Sequence, residues 1–246
     1  MNVSCPHCEN TINGAEIFCG FCGKKITGVD SVKEKISIQR IVAFYISFLV
    51  YALIAYFLYS ESDSLITEIV IETIFVLLTL VFTFLDVKNI FPLYNFKLIN
   101  WKSLLFSVSF PVVSAVIVYF GVEAINNLLF EEDYSNLYYE YLSYENPFMW
   151  AFIFIAILPP IFEELAFRGF LFNQLQNVAT PRVTILTTAF IFALIHFSFI
   201  SFIWIFPFGI VLGYLRHKFN TLWLGVIVHF IHNFLVLLFD YNETLF

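Results

Sequence analysis

Phe162-Glu163-Glu164-Leu165-Ala166-Phe167-Arg168 sets two adjacent carboxylates and a guanidinium inside one of the most apolar stretches of a 246-residue chain. Met149 to Phe162 carries no charge before the two acids, and Gly169-Phe170-Leu171-Phe172 follows. On a soluble protein adjacent acids mark a solvated face. In a bilayer each ionised group is expensive, so a charge there is paired or functional. The rest of the chain decides between these settings. It is 60% hydrophobic and 13% charged, against about 45–50% and about 25% for a soluble domain. Its mean hydropathy is +0.85. Apolar runs of about 17–25 residues recur between short polar clusters, as membrane-spanning helices require. The composition therefore predicts an all-α polytopic membrane protein.

Working outward, the runs predict about seven transmembrane helices. They cover roughly Ile41–Tyr59, Ile66–Leu85, Ser103–Val122, Pro147–Phe172, Val183–Phe199, Ser201–Leu215 and Leu222–Phe239. The break between the fifth and sixth is the least marked, because almost nothing polar separates them. Pro159-Pro160 stands just before the acids. Proline removes backbone donors and kinks a helix, which frees carbonyls close to Glu163. Glu68 and Glu72 fall near the start of the second run and read as interfacial. The 33 phenylalanines suit lipid contact and helix packing.

Loop charge predicts the orientation. Lys and Arg concentrate at 24–40, at Lys88, Lys97 and Lys102, at Arg182 and at Arg216 to Lys218. Residues 60–64, 123–146 and the tail after Asp240 have none; Glu131, Glu132 and Asp133 make the middle loop acidic, and its tyrosines suit a short interfacial helix. The two groups alternate, so the positive-inside rule puts the N-terminus in the cytosol and the C-terminus outside. The net charge of −7 is segregated in this way and offers no nucleic-acid surface. No cleavable signal peptide is expected in the polar first 40 residues.

Those residues hold all four cysteines. Cys5-Pro6-His7-Cys8 and Cys19-Gly20-Phe21-Cys22 form two CxxC knuckles separated by ten residues. Four thiolates at this spacing suit a closed tetrahedral Zn²⁺ site, structural or partner-recruiting rather than catalytic. The alternative, a pair of disulfides, suits a reducing cytosol poorly. His7 reads as an exposed knuckle residue. The expected organisation is a zinc ribbon over 1–24, a basic cytosolic linker over 25–40, accessory membrane helices over 41–102 and a catalytic core over 103–246.

Polar groups recur inside the later runs. Glu164 and Arg168 are i and i+4 and can pair along one helix face, which leaves Glu163, about 100° around, to find a partner on another helix. His196 lies deep in the fifth run, four residues after Phe192, and is the best partner for Glu163. His229 and Asn233 share one face of the seventh, a turn apart. Singly, a membrane histidine can be a packing residue and a Glu/Arg pair a structural staple. His232 reads as structural and His217 as surface. Glu, His, His and Asn on three separate spans are hard to explain as packing accidents.

The three motifs, EExxxR, FxxxH and HxxxN, stand intact and in order as Glu163-Glu164…Arg168, Phe192…His196 and His229…Asn233. They resemble the intramembrane proteases related to the prenyl-protein (CAAX) endopeptidase and their bacterial relatives in bacteriocin processing and self-immunity, the CPBP or Abi group. The resemblance covers about residues 103–239; the ribbon looks like an accessory found on some bacterial members. It implies a glutamate-dependent endopeptidase in which Glu163 and His196 activate water and His229 and Asn233 form the oxyanion hole, with Glu164, Arg168 and Phe192 supporting. By residue type alone two histidines and a glutamate can also bind zinc, although no HExxH is present. No cofactor is therefore assigned to the catalytic site. The expected partners are the lipid bilayer, a membrane-associated protein or peptide substrate, and a protein held by the ribbon. The expected location is a bacterial plasma membrane. Two other readings stay open: a non-catalytic membrane immunity or partner-binding protein, and a proton-coupled transporter, for which no internal repeat is evident.

Overall fold

The computed structural model describes residues 2–13, 18–24, 26, 31–61, 64–129 and 136–245. Glu131, Glu132, Asp133 and Tyr134 of the acidic loop lie outside the described residues. A two-stranded antiparallel ribbon comes first, β1 Asn2–Ser4 against β2 Thr11–Asn13, with Val3 opposite Ile12. Seven main helical segments follow: α1 Ser31–Glu61, α2 Leu65–Leu85, α3 Trp101–Leu129, α4 Pro147–Gln176, α5 Pro181–Leu194, α6 Phe199–Phe219 and α7 Trp223–Glu243. Of these, α1, α2, α3, α4 and α7 contain segments long and apolar enough to cross a bilayer by themselves. The chain is an all-α integral membrane protein.

Phenylalanine makes the core. Phe44 and Phe48 of α1, Phe82 of α2 and Phe167 and Phe170 of α4 are all buried. Phe44 lies 5.1 Å from Phe82, 5.5 Å from Phe167 and 5.7 Å from Phe170, centroid to centroid. Offset and edge-on rings at these distances fill space and add their own attraction. This cluster holds α1 and α2 against the charged half of α4.

The central helix is not uniform. Between two α-helical ends, α4 opens into wide π turns at Phe152–Ile157 and Glu164–Leu171, on either side of Leu158–Glu163. Pro159 and Pro160 supply the cause at the first, since neither offers an N–H to the preceding turn. The Leu158 N–H instead reaches the Ile153 carbonyl, five residues back. Single π turns of this kind recur at functional sites.

The fifth predicted span ends early. Instead of running to Phe199, α5 stops at Leu194. Its 14 residues rise about 21 Å, short of the roughly 30 Å of a hydrocarbon core. Phe197 takes a left-handed φ of 49°, and the Ser198 hydroxyl caps α6 by accepting from the Ser201 N–H at 3.2 Å. A helix cannot continue through that geometry. His196 therefore sits in the turn between α5 and α6, not within a helix as expected. Non-helical backbone at membrane depth is tolerated where it lines a cavity.

Polar contacts tie each end of the bundle. At one end the Ser37 hydroxyl donates to Gln174 at 3.1 Å, Asn173 to Asp86 at 3.1 Å, and the Trp223 indole to the Tyr94 carbonyl at 3.1 Å. At the other, Asn136 donates to the Asp240 carbonyl at 2.8 Å, and the Leu137 N–H donates to the Asp240 carboxylate at 2.9 Å. Glu68 is buried there and accepts from the hydroxyls of Tyr59 and Tyr141. It is an internal tie between α1, α2 and the outer loop rather than the interfacial residue the sequence suggested.

Candidate active site and metal centre

The pairing expected along α4 is present. Arg168 Nη1 meets Glu164 Oε1 at 2.8 Å, with both side chains sealed from solvent. The same guanidinium donates through Nη2 to the Gly209 carbonyl at 3.3 Å and lies 4.2 Å above the Phe192 ring. Gly209 is small for a reason: a Cβ there would stand 3.3 Å from Arg168 Nη2 and 3.1 Å from the Ala189 Cα. Gly225 of α7 serves Glu164 in the same way, since a Cβ would collide with Glu164 Oε2. A charged pair this deep needs close backbone approach and every available donor.

Glu163 has a different setting. Its side chain keeps 15% exposure against 1% for Glu164. The ring of His229 stands between the two acids, Nε2 at 3.7 Å from Glu163 Oε2 and Nδ1 at 3.5 Å from Glu164 Oε1. These are ion-pair distances rather than hydrogen bonds. The nearest ionisable partner of Glu163 is thus His229, where the sequence pointed to His196.

His196 reaches the site from the turn. Its Nδ1 lies 2.7 Å from the Phe192 carbonyl, which explains the four-residue spacing of FxxxH: the imidazole closes the last turn of α5. A carbonyl only accepts, so Nδ1 carries the proton, and Nε2 of the neutral ring is left as an acceptor. The Phe192 ring stands edge-on to both histidines, 5.1 Å from His196 and 5.9 Å from His229.

Asn233 of α7 donates through Nδ2 to the Ile155 carbonyl at 2.9 Å, inside the first π turn. One cavity of about 700 Å³ is lined by Glu163, His196, His229 and Asn233 together. Most of its remaining wall is apolar, including Phe110, Phe154, Ile205 and Phe208. That volume takes a drug-sized ligand or a short peptide segment. Glu164 and Arg168 lie behind the wall.

The sequence reads His232 as structural, and its Nδ1 lies 2.8 Å from the Ser114 hydroxyl of α3 and its ring 4.7 Å from Phe208, but it also lines the cavity. The signal was the i,i+3 spacing from His229, which puts both on one helix face.

The four cysteines converge at the other site. They are free thiols, and their sulfurs all lie within 4.8 Å of one another. Cys5 to Cys22 is 3.8 Å and Cys8 to Cys19 is 3.5 Å. Four sulfurs about 2.3 Å from one tetrahedral ion stand about 3.8 Å apart, so the donor set fits a metal such as zinc. Hydrogen bonds from the backbone and side chain of Asn10 lower the Cys8 thiol to about 6. At Cys22 a backbone hydrogen bond near Lys24 acts downward, but desolvation and the neighbouring sulfurs outweigh it and raise the thiol to about 11. Among the described residues no other group of three such donors lies close enough to hold one ion.

Residues 145–235 match the family model described as type II CAAX prenyl endopeptidase Rce1-like. No curated protein and no solved structure matches the chain. The matched segment begins two residues before α4 and ends inside α7, so it contains the charged pair, the cavity carboxylate, both motif histidines and Asn233. Through these residues the matched segment is similar to the CAAX-protease family, and the chain around it is an all-α membrane protein carrying a tetracysteine segment at its N-terminal end.

Proposed function

We propose that the chain is an intramembrane endopeptidase acting on a membrane-associated protein or peptide. The observation that carries this reading is the convergence of Glu163, His196, His229 and Asn233, from two helices and a turn, on one otherwise apolar cavity. In the proposed reaction Glu163 takes a proton from a water held by His196 Nε2. The resulting hydroxide adds to the scissile carbonyl carbon. The oxyanion is stabilised by donors from His229 and Asn233, each worth roughly 10²–10³-fold in rate. Collapse breaks the C–N bond as Glu163 returns its proton to the leaving amine. Glu164 and Arg168 keep α4 in position. A prenylated C-terminal tail is the substrate class that the family description suggests, and the largely apolar lining of the cavity suits it. The cysteine ribbon holds structural Zn²⁺ and offers a surface to a cytosolic partner. The N-terminus lies in the cytosol of a bacterial cell and the C-terminus outside.

The test is cleavage of a farnesylated CAAX peptide by the purified protein in lipid vesicles, together with capture of natural substrates in native membranes by Glu163→Gln. Glu163→Gln and His196→Ala are expected to lose at least roughly 10³-fold in kcat, and the glutamine variant to retain uncleaved substrate. Full cleavage by both variants would overturn the proposal.

A further inference from the structure

In the HxxxN motif His229 and Asn233 look like a matched pair facing the substrate. Their hydrogen bonding differs. His229 sits between the two carboxylates of α4, while Asn233 spends one of its two amide protons on the backbone of α4, at the Ile155 carbonyl. The choice of that carbonyl has a covalent reason. In an α-helix the acceptor at 155 is served by the N–H of residue 159, and in a π turn by that of residue 160. Both are proline and neither has an N–H. The Leu158 N–H, one residue earlier, is already committed to Ile153. The two prolines thus orphan Ile155, and α7 supplies the missing donor.

We infer that Asn233 is a positioning residue as well as a cavity donor: its amide replaces the N–H that Pro159-Pro160 withholds from Ile155 and so fixes the kinked helix that presents Glu163. This inference rests on the proposed endopeptidase reading and assigns a second task to one of its residues. α4 and α7 run antiparallel here, with Asn233 opposite Ile155 and His229 opposite Glu163 and Glu164. One turn of α7 therefore pins α4 at two places, across the π turn and at the acids. An unsatisfied carbonyl at membrane depth would otherwise drive the helix to find another donor. Any such rearrangement shifts Glu163, four residues beyond Pro159.

The experiment is a cycle between Asn233 and the proline pair, using the full-length protein and a farnesylated CAAX peptide in vesicles. Pro159→Ala with Pro160→Ala restores both backbone donors. Asn233→Ala in the native background is expected to lower kcat by roughly a thousandfold with KM changed far less. In the double-alanine background the same substitution is expected to cost at least roughly tenfold less, because the helix now satisfies Ile155 internally. Equal losses in both backgrounds would overturn the inference. Should the double-alanine background turn over no peptide, the cycle is read in thermal unfolding in detergent. A drop in midpoint for Asn233→Ala that shrinks in that background supports the clamp, and an unchanged drop removes it. Glu163→Gln run beside each arm separates the two claims. An active Glu163→Gln refutes the endopeptidase reading, whereas an inactive Glu163→Gln with no rescue refutes only the clamp.

Discussion

Glu163 and Glu164 are neighbours in sequence with opposite access. Glu164 is held by Arg168 at 2.8 Å and sealed at 1% exposure, while Glu163 opens onto the cavity. Arg168 is what makes the buried acid tolerable. Arg168→Ala would leave Glu164 without its guanidinium counter-ion, the Gly209 carbonyl without its second donor and the Phe192 face uncovered, at about 3–5 kcal/mol. The expected outcome is loss of folded protein in detergent, measured by thermal unfolding; replacing Glu164 by Gln in the same chain should recover part of the loss, because the uncompensated charge goes with it. The ribbon supplies a second contrast of like residues. Cys8 is lowered to about 6, so its thiolate is favoured in the fold; that preference contributes stability above the ordinary thiol value and is lost as pH falls through about 6. Cys22 is raised to about 11, so its thiol form is favoured up to that pH. In metal-stripped protein at pH 7, iodoacetamide should therefore modify Cys8 before Cys22, although Cys22 is the more exposed. Mass spectrometry of the modified peptides checks the order, and the preference should fade below about pH 6.

The α5–α6 hairpin shows how an element can be specified by its smallest residues. Gly209 and Gly213 lie one turn apart on α6 and face Ala189 and Ile185 of α5, the close approach that small residues permit in membranes. The two glycines are not equivalent. A Cβ at Gly209 would press on the Ala189 Cα at 3.1 Å, whereas one at Gly213 would meet the Ile185 Cγ2 methyl at 3.2 Å and the Ile185 backbone only at 3.6 Å, an ordinary contact distance. Alanine also gains about 1 kcal/mol of helix propensity over glycine. At Gly213 that gain offsets the contact; at Gly209 it does not, and overpacking costs about 1–3 kcal/mol. Thermal unfolding should show Gly209→Ala lowered and Gly213→Ala near wild type. The hairpin is also where the sequence was hardest to read. Ile195-His196-Phe197-Ser198 has neither Gly nor Pro, and its apolar residues continue the helical pattern. The left-handed Phe197 is stabilised by the fold, not announced by the residue. The helices themselves were legible from apolar length, and the three motifs from the placement of the polar groups together with the family resemblance. The π turns of α4 were only half legible: Pro159-Pro160 marked a disruption, but the donor that repairs it comes from α7.

For the whole molecule, the decisive asymmetry is between its two ends. Lys88, Lys97, Lys102, Arg182, Arg216 and Lys218 all fall in or beside the connections at the end where α1 begins, α4 ends and α7 begins. Arg216 anchors that end from α6, donating to the Arg168 carbonyl at 3.0 Å, to Asn173 at 2.8 Å and to Asn220 at 2.7 Å. Asp240, Glu243 and the tyrosines of Leu137–Tyr141 gather at the opposite end. The ribbon precedes α1 and so joins the basic end. A basic end is retained in the cytosol because translocating Lys and Arg is opposed during insertion. That end would then also be the reducing side, where four free thiols persist. Charge and redox chemistry make one prediction. In cells carrying the full chain, a membrane-impermeant maleimide applied with a chelator should label the ribbon cysteines in inside-out vesicles and leave them unlabelled in right-side-out vesicles. Labelling in right-side-out vesicles would reverse the orientation and put the ribbon in an oxidising space, where four adjacent thiols would be expected to form disulfides. The same labelled preparation measures whether the ribbon is separable from the chemistry. All seven main helices lie outside it, so a chelator that strips any bound metal should expose the thiols while the proposed cleavage persists.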